Sequence, residues 1–184
     1  MRTKQLVLTA LFAALTAIGA FLKIQIPVEG IPAITLQFFF TAMAGVLLGA
    51  KYGAISQAVY VLLGLVGLPI FTNGGGFSYV FQPSFGFLIG LIPSAWVIGK
   101  LCAKTTTFWP MVLGLVAGLA VLYVFGTPYM GLILNLYLGK GMSVWQIVRA
   151  GCLLYLPGDV LKIVVCTALC LALRSRLPKA LAAA

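Results

Sequence analysis

The chemistry open to this sequence is concentrated in Asp159 and Lys162. They lie in the run Pro157-Gly158-Asp159-Val160-Leu161-Lys162, at the head of a long apolar stretch. The chain has only two acidic residues, Glu29 and Asp159. An ionised group at membrane depth is costly and is seldom found there without a partner or a task. Residues three apart on a helix share a face, so Asp159 and Lys162 point the same way. Together they form a small polar site in an apolar molecule. The pair can satisfy itself as a packing ion pair, or it can offer an acceptor and a donor to a ligand.

A second group of polar and aromatic residues sits in the uncharged loop 70–82, Ile-Phe-Thr-Asn-Gly-Gly-Gly-Phe-Ser-Tyr-Val-Phe-Gln. Asn73 and Gln82 carry amides, and Phe71, Phe77 and Tyr79 offer apolar faces. The run Gly74-Gly75-Gly76 lets backbone approach a ligand closely and lets the loop move. The expected arrangement is a binding site with Asp159 and Lys162 as its floor and this loop as its lid. Its substrate-binding residues are Asp159, Lys162, Asn73, Gln82, Phe71, Tyr79 and Gly75.

Several function classes are poorly served by the remaining residues. There is no histidine, and the four cysteines, Cys102, Cys152, Cys166 and Cys170, lack metal-ligand spacing, so no metal site is expected. The glycine run follows no strand and precedes no Gly-Lys-Ser/Thr, so it is not a phosphate loop. No catalytic residue is assigned and the chain is not expected to be an enzyme. Proton or sodium coupling would rest on Asp159 alone. The net charge of +10 is scattered between apolar spans, which fits membrane topology better than nucleic-acid binding.

These residues must be held by membrane helices. The 184 residues are 62% hydrophobic and 8% charged, against about 25% charged in soluble domains. One all-α membrane domain over 1–184 is expected, a bundle of six transmembrane helices. A span needs about 20 apolar residues. The candidates are 5–22, 33–50, 53–69, 83–101, 109–127 and 157–174. The fifth can run on through Pro128 to Leu138, and a helix over 143–156 can join the sixth with a bend at Pro157-Gly158. Pro27 and Pro32 bracket a loop, and Lys51-Tyr52-Gly53 reads as a tight turn. The first apolar run lacks a convincing cleavage site and is kept as a helix.

With six spans, Arg2, Lys4, Lys51, Lys100, Lys104, Arg174, Arg176 and Lys179 share one side, and Lys23, Lys140 and Arg149 fall on the other. The positive-inside rule then makes both termini cytoplasmic and puts loop 70–82 outside. Small residues mark close helix contacts: Gly45/Gly49, Gly86/Gly90 and Gly114/Gly118, and on the first span Ala10, Ala13, Ala14 and Ala17. The alanine face is also a candidate docking surface for another membrane subunit.

Read together, these segments resemble the BioY family, the biotin-binding S components of energy-coupling-factor (ECF) transporters. The likeness runs through residues 10–19, Ile34-Thr35-Leu36-Gln37, residues 45–49, Gly64-Leu65-Val66-Gly67-Leu68-Pro69-Ile70-Phe71 with Gly74-Gly75-Gly76, residues 83–90, and Pro157 to Lys162. It covers nearly the whole chain, and the last segment and the Gly64–Phe71 segment are its most specific parts. Two departures are Ala33-Ile34, where the family often has Pro-Phe, and Phe77, where some members place a basic residue after the loop's first glycines.

The resemblance implies a six-helix ECF S component in a prokaryotic plasma membrane. It implies a protein that captures biotin outside and docks on a transmembrane coupling subunit driven by two cytoplasmic ATPase subunits. Biotin would be a transported ligand, and no cofactor is called for. Asp159 would accept the ureido N–H groups. Lys162 would serve either the ureido carbonyl or the carboxylate, and Asn73 and Gln82 the remaining polar atoms. Alternatives are an S component for a different vitamin, or a solitary transporter or structural membrane protein.

Overall fold

A computed structural model describes residues 3–26 and 30–176. Arg2, Pro27, Glu29 and Lys179 lie outside the described residues. The fold is mostly helical: α1 (Thr3–Phe21), α2 (Gln37–Leu65), α3 (Phe85–Leu101), α4 (Phe108–Leu132), α5 (Val144–Val148) and α6 (Leu156–Arg176). Between α1 and α2, two-residue strands β1 (Lys23–Ile24) and β2 (Ile34–Thr35) pair antiparallel. Ile34 and Thr35, expected inside the second span, are β-branched and follow Pro32, and they adopt the extended form instead. Four helical stretches are long and apolar enough to cross a membrane, and Phe85–Leu101 is a shorter apolar helix. Their outward faces carry exposed Leu, Val, Ile and Phe, such as Leu6, Leu113, Val124 and Leu161. Such surfaces suit lipid rather than water.

α2 is interrupted once. Gly49 has φ 78° and ψ 177°, a conformation that glycine enters without steric cost. Thr41 Oγ1 donates to Gln57 Oε1 at 2.9 Å, and Gln37 Nε2 donates to Tyr60 Oη at 2.9 Å. Sixteen residues of straight helix would span about 24 Å. The two arms of α2 therefore fold back on each other at Gly49. The predicted tight turn at Lys51-Tyr52-Gly53 is helical, and the reversal comes earlier because Gly49 alone supplies the positive φ. The expected spans 33–50 and 53–69 correspond to the two arms.

Helix contacts are set by the small residues. A Cβ on Gly99 would lie 2.2 Å from Ala50 N, and one on Gly45 2.7 Å from Ala95 O. Gly86 and Gly90 face Tyr129 and Leu122 of α4, while Gly114 faces Cys102, just past the end of α3, and Gly118 faces Ile98 of α3. A polar knot ties α1 to both arms of α2. Gln57, fully buried, accepts from Thr41 and from Thr16 (3.3 Å) and donates to Ser56 Oγ at 3.0 Å. Left unpaired, each such group would cost about 1–3 kcal/mol.

Residues 128–156 form interrupted helix. α4 passes Pro128 and ends in a wide π turn, Ile133–Tyr137. Ser143 and Gln146 form a reciprocal cap that starts α5. The predicted bend at Pro157-Gly158 falls earlier, in a π turn over Arg149–Leu153, where Leu154 N bonds to Arg149 O at 3.1 Å. Proline clashes with the carbonyl four residues before it, so the distortion precedes Pro157, which sits in the first turn of α6.

The basic residues separate to the two ends of the bundle. Arg174 donates to the carbonyls of Cys102 and Thr105, at 2.8 and 2.7 Å, and to that of Val46. It thereby serves the C-terminal ends of α3 and of the first α2 arm, where a cation is favoured. Lys51, Lys100 and Lys104 belong to this end. Lys23, with loop 70–82, belongs to the other.

Candidate functional site

At the end opposite Arg174 the helices leave a cavity of about 700 Å³, counting the space at its open mouth. Its walls are largely apolar, with Phe38, Phe87, Leu88, Leu91 and Leu122 among them. Polar groups enter from three places: Asp159 and Lys162 from the start of α6 with Tyr155 from the turn just before it, Tyr123 from α4, and Thr35, Gln37, Thr72 and Asn73 from β2, α2 and the following loop.

The inner polar group is built around Asp159. Lys162 Nζ donates to its Oδ1 at 2.7 Å, the i,i+3 pairing read from the sequence. The Tyr123 hydroxyl donates to Oδ2. Asp159 also lies in the first turn of α6, where the helix dipole favours negative charge. It is only 4% exposed. An ionised carboxylate is acceptor-only, and its remaining lone pairs can take further donors from a ligand. The ammonium of Lys162 has donors to spare after one bond. The site thus offers an acceptor and a donor side by side, with almost no net charge.

Two straps close over this group. The Tyr155 hydroxyl donates to Pro32 O at 2.5 Å, across 123 positions of sequence. Lys23 Nζ donates to Thr72 O at 2.6 Å and to Asn73 Oδ1 at 3.3 Å. Gln37 is held from three sides: Thr35 Oγ1 and Thr72 Oγ1 donate to its Oε1 at 3.0 and 3.5 Å, and its amide donates to Tyr60.

The residues singled out in loop 70–82 divide. Asn73 and Tyr79 line the cavity beside Asp159 and Lys162. Phe71, Gly75 and Gln82 do not line it. Phe71 is fully buried against Gly64, with its ring centroid 4.7 Å from that of Tyr79. A Cβ on Gly75 would lie 2.0 Å from Leu68 O, so this glycine serves chain packing. Gln82 is exposed, and its backbone N–H bonds to Tyr79 O. The Tyr129 hydroxyl pins the loop through Val80 O at 2.5 Å. Burial pushes the Tyr79 phenol upward, opposed in part by its hydrogen bond with Ser84, so it stays a neutral group at neutral pH.

Tyr123, Tyr155 and Gln37 join the site without having been marked by the sequence pattern. Gln37 stands inside a family-like segment, Ile34-Thr35-Leu36-Gln37, whose spacing assigns it no role. Tyr123 is a lone hydroxyl in an aliphatic run, a signal comparable to that of Asp159 but weaker. Only the crossing of α4 and α6 reveals its partner. Along α1, Ala10 and Ala14 are exposed and Ala17 half-buried, while Ala13 is buried in the bundle and presents nothing outward.

The comparisons with known proteins agree with each other. The BioY family model matches residues 1–179. A probable biotin transporter BioY of Lysinibacillus sphaericus is 46% identical over 143 residues, covering 77% of this chain and 71% of that one. The biotin transporter BioY of Thermotoga maritima is 37% identical over 173 residues, 93% of this chain and 96% of that one. A solved structure, the S-component for biotin from an ECF-type ABC transporter, superposes with a TM-score of 0.83 at 27% identity. It covers 96% of this chain and 93% of its own.

Proposed function

Because this chain belongs to the BioY family, we propose that it is the substrate-binding subunit of a biotin uptake system. It is not read as an enzyme. The observation that carries the reading is the acceptor–donor group Asp159, Lys162 and Tyr123 at the buried end of a largely apolar cavity. Biotin has complementary parts. Its ureido ring presents N–H donors and a carbonyl acceptor, and its thiophane ring and valeryl chain are apolar. Asp159 accepts the ureido N–H groups and Lys162 donates to the ureido carbonyl, both through charge-assisted bonds. Phe87, Leu91 and Leu122 cover the rings. Asn73 and Tyr79 close the site from the loop.

Isothermal titration of the purified protein in detergent tests this. Nanomolar biotin binding is expected. Binding of another vitamin in place of biotin would reassign the substrate. Tyr123→Phe keeps the ring and removes the donor to Asp159. A hydrogen bond to a charged group contributes about 1.5–3 kcal/mol, so biotin affinity is expected to fall about tenfold or more with the fold retained. Unchanged affinity would make Tyr123 a bystander.

Counting the two arms of α2 separately, the chain would cross the membrane six times, with both termini cytoplasmic and the cavity opening outward. The segregation of basic residues supports this orientation through the positive-inside rule. Partner subunits would be a transmembrane coupling protein and two ATPases, with Ala10, Ala14 and Ala17 forming a close-approach face on α1. Ala14→Trp is expected to reduce ATP-dependent biotin uptake in reconstituted vesicles by at least tenfold while leaving binding by the isolated subunit within about twofold of wild type. Uptake retained at the wild-type rate would make this face plain lipid-exposed surface.

A further inference from the structure

The cavity is not uniform in charge. At its buried end the charge of Lys162 is cancelled by Asp159 at 2.7 Å. An anionic ligand group placed there would meet a carboxylate that is 4% exposed, and like charges repel strongly where water is excluded. The opposite holds on the loop that borders the cavity. Lys23 is exposed and does not itself line the cavity, but it is held there by Thr72 O and Asn73 Oδ1, oxygens that carry no formal charge. Both Thr72 and Asn73 line the cavity. Lys23 also pairs across the two-stranded sheet with Thr35, another lining residue. Paired positions hold their Cβ atoms about 4.5–5.5 Å apart on one face. An ammonium has three donors, so after these two bonds one remains. Lys51, Lys100, Lys104 and Arg174 sit at the other end of the bundle, and Lys140 and Arg149, on the same side as Lys23, do not line the cavity.

We infer that Lys23 is the anion subsite of this cavity, receiving the ligand's carboxylate at the mouth while Asp159 and Lys162 hold the ureido ring inside. This rests on the biotin reading. It assigns a polarity to the bound ligand: neutral donors inward, anion outward. It also makes Lys23 a specificity residue for acids over their neutral analogues.

Titrate the detergent-purified full chain with biotin and with biotinamide, whose tail is uncharged. An exposed ion pair contributes at most about 1 kcal/mol, so wild type should favour biotin by about fivefold. That ratio should shrink in high salt, because exposed charges are screened. In Lys23→Gln the ratio should fall to about one, with biotinamide affinity unchanged. In Lys23→Arg it should persist. Lys162→Ala should weaken both ligands equally, and Lys104→Gln should alter neither. If Lys23→Gln lowers both ligands equally, Lys23 only braces the loop and the inference fails. If wild type shows no preference for biotin, or Lys23→Gln retains the preference, it fails as well. In all three of these cases the biotin reading survives. If wild type binds neither ligand, the biotin reading itself fails and takes this inference with it.

Discussion

Asp159→Ala is expected to abolish high-affinity biotin binding and to destabilise the protein, and the stability loss should be smaller when the lysine is neutralised along with the carboxylate. Removing one member of a buried ion pair leaves the other charge without compensation, which costs about 3–5 kcal/mol. Replacing both members by groups of similar volume is often close to neutral. The double variant Asp159→Asn/Lys162→Met should therefore melt nearer to wild type than Asp159→Ala does. Binding should not follow stability. The charged acceptor and the donor for the ureido group are both gone from the double variant, so its biotin affinity should remain at least tenfold, about 1.4 kcal/mol, below wild type. A double variant that regains both stability and binding would show that the pair is a packing device and that the ligand lies elsewhere. One that regains stability alone separates the two roles. Thermal melts by intrinsic fluorescence and titration calorimetry on the same preparations decide between them.

Gly99→Leu should destabilise the protein severely, and far more than an added side chain at a glycine facing open space. An added Cβ would meet Ala50 N at 2.2 Å and Ala50 Cα at 2.5 Å. These are backbone atoms in the second arm of α2, just past the Gly49 reversal, and no side-chain rotation relieves the clash. Overpacking a close contact costs about 1–3 kcal/mol even where side chains can yield. At Gly99, α3 and α2 must separate, which also displaces the polar knot around Gln57. Loss of monodisperse protein in detergent is the expected result, or a large fall in melting temperature. Gly139→Ala provides the contrast. Gly139 has φ +61° and nothing within 4 Å of its added Cβ, so the cost is only the backbone penalty of about 1–2 kcal/mol. If Gly99→Leu melts no lower than Gly139→Ala, the α2–α3 approach is looser than these distances require.

Much of the molecule was legible because membranes leave few options. Backbone groups in lipid must be satisfied within helices, so long apolar runs and their polar breaks translate almost directly into elements. That is why α1, α3 and the bulk of α4 and α6 fall close to their expected limits. The Asp159–Lys162 pairing was legible for the same reason: helical spacing alone places i and i+3 together, and two charges in an aliphatic run stand out. The small-residue pairs Gly86/Gly90 and Gly114/Gly118 announced close contacts without naming the partner helix.

Other features depend on contacts distant in sequence. Lys51-Tyr52-Gly53 looks as much like a turn as Gly49 does, and only the packing of Thr41 on Gln57 and of Gly99 on Ala50 shows where the chain reverses. Phe71, Gly75 and Gln82 have the same composition signal as Asn73 and Tyr79. Which of them meet the cavity depends on how the loop folds onto Gly64 and Leu68. Tyr123 acquires its partner only because α4 crosses α6, and Lys23 reaches Thr72 across 49 positions. Local periodicity dictated the helices and the one ion pair that helical spacing can make. The cavity and its mouth were decided by tertiary structure, because a side chain's neighbours across an interface are set by helix crossing and loop path, which no short stretch of sequence encodes.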